Sequence, residues 1–218
     1  LGEGASGVIH AAGHGGPGGA SEVAVKLFKG EVTSDGWPAS EMAASLAAAT
    51  APHTVRVRGR LAGHPDGTDG LVLERIGADW RNLAGPPSFA SCTRDVYAEG
   101  LRLPQATARA IARDIAAAVA HLHARGMVHG DLYAHNILWR PGEALLGDFG
   151  AAALLPQALA PAVQRTELRA FGCLLEELLA HADAADALAD LAALRDACLA
   201  DDPAARPTMA QVHARLAA

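Results

Sequence analysis

Ile111, Ile115, Val119 and Leu122 follow one another at steps of four, four and three, the spacing of one apolar stripe on an α-helix. Pro104 suits the first helical position, where its missing N–H costs nothing, and Gly126 suits the stop. A long helix over 104–125 is therefore predicted, and it divides the chain. Before it, "GVIHAAG" and "EVAVKLF" are β-branched runs separated by the Gly-rich turn "HGGPGGAS". "VRVRGRLAG" and "GLVLERI" flank the turn-rich "HPDGTD". Between these pairs "SEMAASLAAAT" reads as a short helix with Ser40 as its N-cap. The stretch 85–103 has no period and reads as loop or broken helix. After the long helix, further helices are predicted near 167–180, 188–200 and 208–217, with no internal repeat. A sheet-rich half followed by a helical half predicts an α+β fold.

A chain of 218 residues buries roughly 70–75% of its unfolded surface, enough for one domain, with room for two lobes. Half of the residues are hydrophobic, which argues against disorder; much of this is Ala, a strong helix former. A net charge of −6 argues against a nucleic-acid partner. The alternating "VRVRGR" puts Val55 and Val57 on one strand face and Arg56, Arg58 and Arg60 on the other. A solvated face is the favoured reading there, an acidic partner the alternative. Apolar runs fall short of a membrane span, and no basic-then-apolar leader opens the chain. It begins without Met inside a strand-like run, so a domain of a longer polypeptide is expected. Cys92, Cys173 and Cys198 are odd in number and far apart, which points to a reducing, cytoplasmic setting.

Four stretches carry chemistry, in order. In "LGEGASGVI" (1–9), Gly2, Gly4 and Gly7 leave backbone amides free to approach phosphates. Alone this pattern is weak, and the strand after it argues against a dinucleotide fold. In "VAVK" (23–26), Lys26 ends an apolar strand with its ammonium turned inward, a costly placement unless it meets an anion; phosphate or Glu41 could serve. In "HGDLYAHNIL" (129–138), Asp131 could take the proton of an attacking hydroxyl and Asn136 could ligate a metal, with His129 supporting the loop. In "LGDFG" (146–150), Asp148 ends a strand where it could hold a magnesium ion bridging nucleotide phosphates. His121 and His123 cannot share one ion easily, since residues two apart on a helix point about 200° apart; a structural role is favoured for both.

Taken together these stretches resemble the protein kinases, in register from Leu1 to about residue 213. The first resembles the Gly-rich loop, the second the VAIK strand, and Glu41 the helix-C glutamate. "HGDLYAHN" resembles the catalytic loop and "DFG" is present as such. "ELRAFGCLLEELL" resembles the central helix of the C-lobe and "CLADDPAARPT" a later helix-to-helix turn. The resemblance implies a bilobal fold: N-lobe 1–73, an antiparallel sheet with one helix; hinge 74–77; mainly helical C-lobe 78–218. It implies ATP and Mg2+ as cofactors and a protein substrate. It further implies Leu73 as gatekeeper, Glu74 and Ile76 as hinge backbone partners of adenine, and Ala24 and Leu138 as the sandwich around the ring. Ile9 is implied as the roof, with Leu1 beside it among the nucleotide-binding residues.

Several positions depart from that pattern. Gly130 replaces an Arg that in the family pairs with a phosphorylated activation loop, and 151–165 contains no Ser, Thr or Tyr; activity independent of activation-loop phosphorylation is predicted. Tyr133 and His135 stand where relatives carry cations, and neither is expected to be a reliable cation at pH 7. The segment 151–166 is short, with "APA" (160–162) at best a remnant of the Ala-Pro-Glu element. Arg206 is left without its usual partner, and Glu167 takes the place of a buried Asp. The stretch from Glu177 to Cys198 is compressed. A Ser/Thr-type protein kinase is the leading expectation. A small-molecule kinase of the aminoglycoside or choline type, favoured by "HGD" and the trimmed docking side, and a nucleotide-binding pseudokinase are the alternatives.

Overall fold

The computed structural model describes residues 1–3, 7–16, 19–30 and 36–218. β1 (Gly2–Glu3), β2 (Gly7–Gly16) and β3 (Gly19–Phe28) pair antiparallel, β2 on β3 without a slip from Gly7 opposite Phe28 to Gly16 opposite Gly19. The chain next forms α1 (Pro38–Ala47), β4 (Val57–Leu61) and β5 (Gly70–Glu74), closing a five-stranded sheet in the order β1-β2-β3-β5-β4. Alternation along 55–60 sorts as the sequence requires: Val57 is buried while Arg56, Arg58 and Arg60 are exposed. Phe28, Met42, Val57 and Leu71 form the core between α1 and the sheet. Ser40 is not the N-cap. Pro38 holds the first helical turn and Trp37 precedes it in extended backbone, because proline's fixed φ starts the helix three residues earlier.

β6 (Arg81–Asn82) is followed by the irregular stretch 85–103, fastened by paired bonds between Gly85 and Val96 (2.8 and 2.9 Å). α2 (Gln105–Ala124) then runs as predicted, its Ile111, Ile115, Val119 and Leu122 fully buried and Gly126 turning the chain at φ +70°. Burying each such side chain is worth roughly 1.5–3 kcal/mol, so this stripe anchors the helical part. Asp114 on α2 is buried too, and its carboxylate accepts the Ala144 amide at 3.0 Å.

Short strands come after α2. β7 (Met127–Val128), β8 (Ile137–Arg140), β9 (Glu143–Leu146) and β10 (Ala153–Leu154) form two small sheets, β10 on β7 and β6-β8-β9. The 129–136 loop thus hangs between β7 and β8, and Asp148 comes directly after β9.

α3 (Ala160–His181) is longer than the predicted 167–180. The chain leaves β10 and enters this helix within five residues, so "APA" is its first turn and no separate Ala-Pro-Glu element exists. α4 (Ala189–Cys198) and α5 (Met209–Leu216), the latter started by a Thr208–Gln211 capping box, complete the fold. Phe171, Leu174 and Leu178 of α3 meet Leu191 of α4 and Met209 of α5 around α2 in one core. Arg206 is buried and donates to the carbonyls of Ala200 (2.8 Å) and Arg165 (2.9 Å), which stand in for the carboxylate that the resemblance implied. Among the described residues no helix is long and apolar enough to cross a membrane.

Candidate active site

A cavity of about 450 Å³ lies between the five-stranded sheet and the β8–β9 side of the helical part. Its lining brings together Lys26, Glu41, Asn136 and Asp148, and with them Leu1, Ile9, Ala24, Leu73, Glu74, Ile76 and Leu138. Leu1, Ile9, Ala24, Leu73, Ile76 and Leu138 are its apolar members, the residues that the resemblance implied around the nucleotide base. The Glu74 amide is taken by the Arg56 carbonyl at 2.8 Å, so a bond from Glu74 to a base would use its carbonyl. Gly7 is outside this lining but its smallness is required: a Cβ there would fall 2.4 Å from the Leu27 carbonyl oxygen. Gly2 is exposed with open space around it, and Gly4 lies outside the described residues.

Lys26 sits opposite Ile9 and Leu71 in the sheet and is 8% exposed. Its ammonium is bonded to the Glu41 carboxylate and stands 3.7 Å from Asp148 Oδ1. The sheet, α1 and the strand end after β9 therefore meet at one cation. Asp148 is held at φ +50°, a left-handed conformation that a non-glycine residue adopts at some cost, and its Oδ1 accepts the Gly150 amide at 3.1 Å.

Asp131 is not part of the cavity lining; its side chain is 41% exposed. Asn136 fixes it, donating from Nδ2 to the Asp131 carbonyl (2.9 Å) and carboxylate (2.8 Å). With its nitrogen so engaged, Asn136 keeps its amide oxygen for another partner. Asn136 and Asp148 both line the cavity, so its wall carries a carboxamide and a carboxylate, two sources of hard oxygen donors. Among the described residues no cluster of three or more His, Cys, Asp or Glu side chains is placed to hold a metal. Two oxygen donors fit magnesium, which takes few protein ligands and completes its shell with phosphate and water.

The loop's other members support it. His129 is fully buried; its Nε2 donates to the Gly147 carbonyl (2.8 Å) and its Nδ1 accepts the Asp131 amide (3.3 Å). Glu167 of α3 accepts the Gly130 amide at 2.8 Å and bonds His123 Nε2 at 2.7 Å, so the longer acid does tie the loop to the helix. Gly130 itself has φ +80°, and a Cβ there would lie 2.3 Å from the Ala151 carbonyl oxygen. The backbone of the short segment fills the space in which an Arg would begin.

Residues 81–155 match the lipopolysaccharide kinase (Kdo/WaaP) family. The match covers about a third of the chain and includes Asp131, Asn136 and Asp148. The fold is kinase-like, and the matched family supports phosphotransfer as the chemistry. Nothing in the match points to a protein Ser/Thr acceptor, the leading expectation from the sequence; the small-molecule alternative stands nearer to it.

The matched segment also holds two residues that sequence reasoning missed. Asp95, buried, accepts the amides of Ala134 (3.0 Å) and His135 (2.9 Å) and bonds His135 Nδ1 (2.7 Å). Arg94 donates to the Leu132 carbonyl (3.3 Å) and to Glu177 (3.1 Å), and its guanidinium lies 4.2 Å from the Tyr133 ring centre. Both belong to 85–103, which offers no periodicity to read. The reading of His135 as an unreliable cation left Asp95 out. The Asp95 bond holds the His135 pKa above the ordinary value against burial, with Asp131 and Asp148 adding to the effect.

Proposed function

We propose that the protein is an ATP- and magnesium-dependent kinase that phosphorylates a hydroxyl of a carbohydrate-type acceptor. The match of 81–155 to a lipopolysaccharide kinase family carries this reading. The direct passage from β10 into α3 supports it, because that segment is where a peptide-docking platform would otherwise be built.

In this reading Asp148 and Asn136 would hold magnesium, which would supply charge neutralisation to the nucleotide phosphates. Lys26, steadied by Glu41, donates to phosphate oxygens from a site that excludes most water. Asp131 orients the acceptor hydroxyl and takes its proton as the new oxygen–phosphorus bond forms and the bond to the ADP oxygen breaks. Catalysis is then mostly positioning.

A second reading, protein phosphorylation, draws on the resemblance of α3 and of the 198–208 turn to protein kinases. Transfer of labelled γ-phosphate from ATP to sugars and glycolipids, against generic protein acceptors, separates the two. Labelling of sugar hydroxyls that falls at least about 100-fold in Asp131→Asn is expected. Labelling of proteins alone would overturn the acceptor class. Tight ATP binding without consumption under any acceptor would overturn the enzyme reading.

A further inference from the structure

The loop 129–136 has to hold Asp131 and Asn136 in fixed relation, yet it is an irregular segment with a single 3₁₀ turn at 134–136. A helical turn of this kind leaves its first N–H groups without intrahelical acceptors, and Tyr133, which precedes it, supplies no side-chain cap. The acceptor comes from elsewhere. Asp95 bonds the amides of Ala134 and His135 and the His135 ring, and these are its only hydrogen bonds among the described residues. Its neighbour Arg94 takes the other flank, through the Leu132 carbonyl and the Tyr133 ring. Glu177 of α3 anchors Arg94 in turn, while also accepting the Tyr97 hydroxyl at 3.0 Å.

We infer that Arg94 and Asp95 form a two-residue clamp, positioning residues that fix the loop between the proton acceptor and the metal-facing carboxamide. Four consecutive residues, 132–135, are gripped from one side by two consecutive residues of a distant segment. The chemical sense is specific. Asp95 engages His135 Nδ1, so His135 Nε2 is turned to the active site, 4.0 Å from Asp131 Oδ2, and the ring lines the nucleotide-sized cavity. A buried carboxylate that spends its bonds on a loop of this kind is not needed by its own segment, which is already closed by the Gly85–Val96 pair. The stretch 85–103 thus acts on the reaction without touching the reacting atoms.

The inference rests on the kinase reading for its catalytic consequence but not for its structural one, and two measurements keep these apart. In Asp95→Asn, which keeps the shape and loses the second acceptor, kcat is expected to fall about 10- to 100-fold with the nucleotide dissociation constant within about twofold. The double variant with His135→Gln is expected to be no slower than the slower single, because the two act as one unit. Amide exchange at Ala134 and His135 is expected to rise while that of β8 is unchanged, and this is read without any acceptor. Arg94→Ala gives the same kcat-selective loss and Arg94→Lys recovers part of it; these variants decide the matter should Asp95→Asn fail to fold. Unchanged exchange at 134–135, additive single effects, or a loss shared equally by nucleotide binding and thermal stability would each overturn the clamp.

Discussion

At the scale of single residues, the most informative position is the glycine before Asp131. Its φ of +80°, and the 2.3 Å that would separate a Cβ there from the Ala151 carbonyl oxygen, exclude any side chain without movement of the segment after Gly150. Gly130→Ala is therefore expected to cost about 1–3 kcal/mol, read as a lowered unfolding midpoint in denaturant. Gly130→Arg, which supplies the residue that protein kinases commonly carry there, is expected to be worse in stability and no better in turnover. The Asp95–His135 pair makes a second prediction. Burial pushes the Asp95 carboxyl up, but the His135 bond and the two loop amides outweigh it and its pKa is lowered. A lowered carboxyl contributes stability above its unfolded value, near 4, that is lost as pH falls through the folded value. A raised imidazole contributes below its unfolded value, near 6.5, and loses this as pH rises through the folded value. The pair therefore stabilises most between about pH 4 and 6.5, and His135→Gln is expected to flatten the stability profile on both sides of that window. A parallel downward shift at all pH values would contradict the assignment.

At the scale of elements, the segment from Gly150 to α3 is the main departure from the kinase pattern. It pairs β10 with β7, passes residues 155–159 and becomes helix, and Ala151 is locked against Gly130. Such a segment has its order built in and needs no phosphate to acquire it. Phosphatase treatment is expected to leave turnover unchanged, and mass spectrometry is expected to find no phosphate in 151–165, which holds no hydroxyl side chain. A turnover-controlling phosphate within it would refute this. The early start of α3 is not legible from the residues. "APA" fits a helix's first turn as well as a loop remnant, and only the short path from β10 decides between them.

At the scale of the whole molecule, the cavity exists because the sheet and the helical part close over one another through Lys26. Its ammonium answers to Glu41 of α1 and, at 3.7 Å, to Asp148 beyond β9, a residue that the whole of α2 separates in sequence from the other two. Lys26→Met is expected to lower turnover on the order of 10²- to 10³-fold, as for loss of one preorganised donor to transferring charge. The KM for ATP is expected to rise less than kcat falls, since on the proposed reading the apolar walls that Ala24 and Leu138 contribute would still hold the base. Steady-state kinetics over an ATP range tests this; a change confined to KM would remove Lys26 from the transfer step.

The strand-then-helix order, the stripe on α2, and the placing of Lys26, Glu41, Asn136 and Asp148 are written along the chain, because periodicity and ordered spacing are properties of sequence neighbours. Folding in three dimensions had to settle that Asp95 caps a turn some forty residues away, that Ala151 forbids a side chain at Gly130, and that Arg206 settles for backbone carbonyls. Those contacts depend on which irregular segments close upon each other in space, and an irregular segment leaves no period to read.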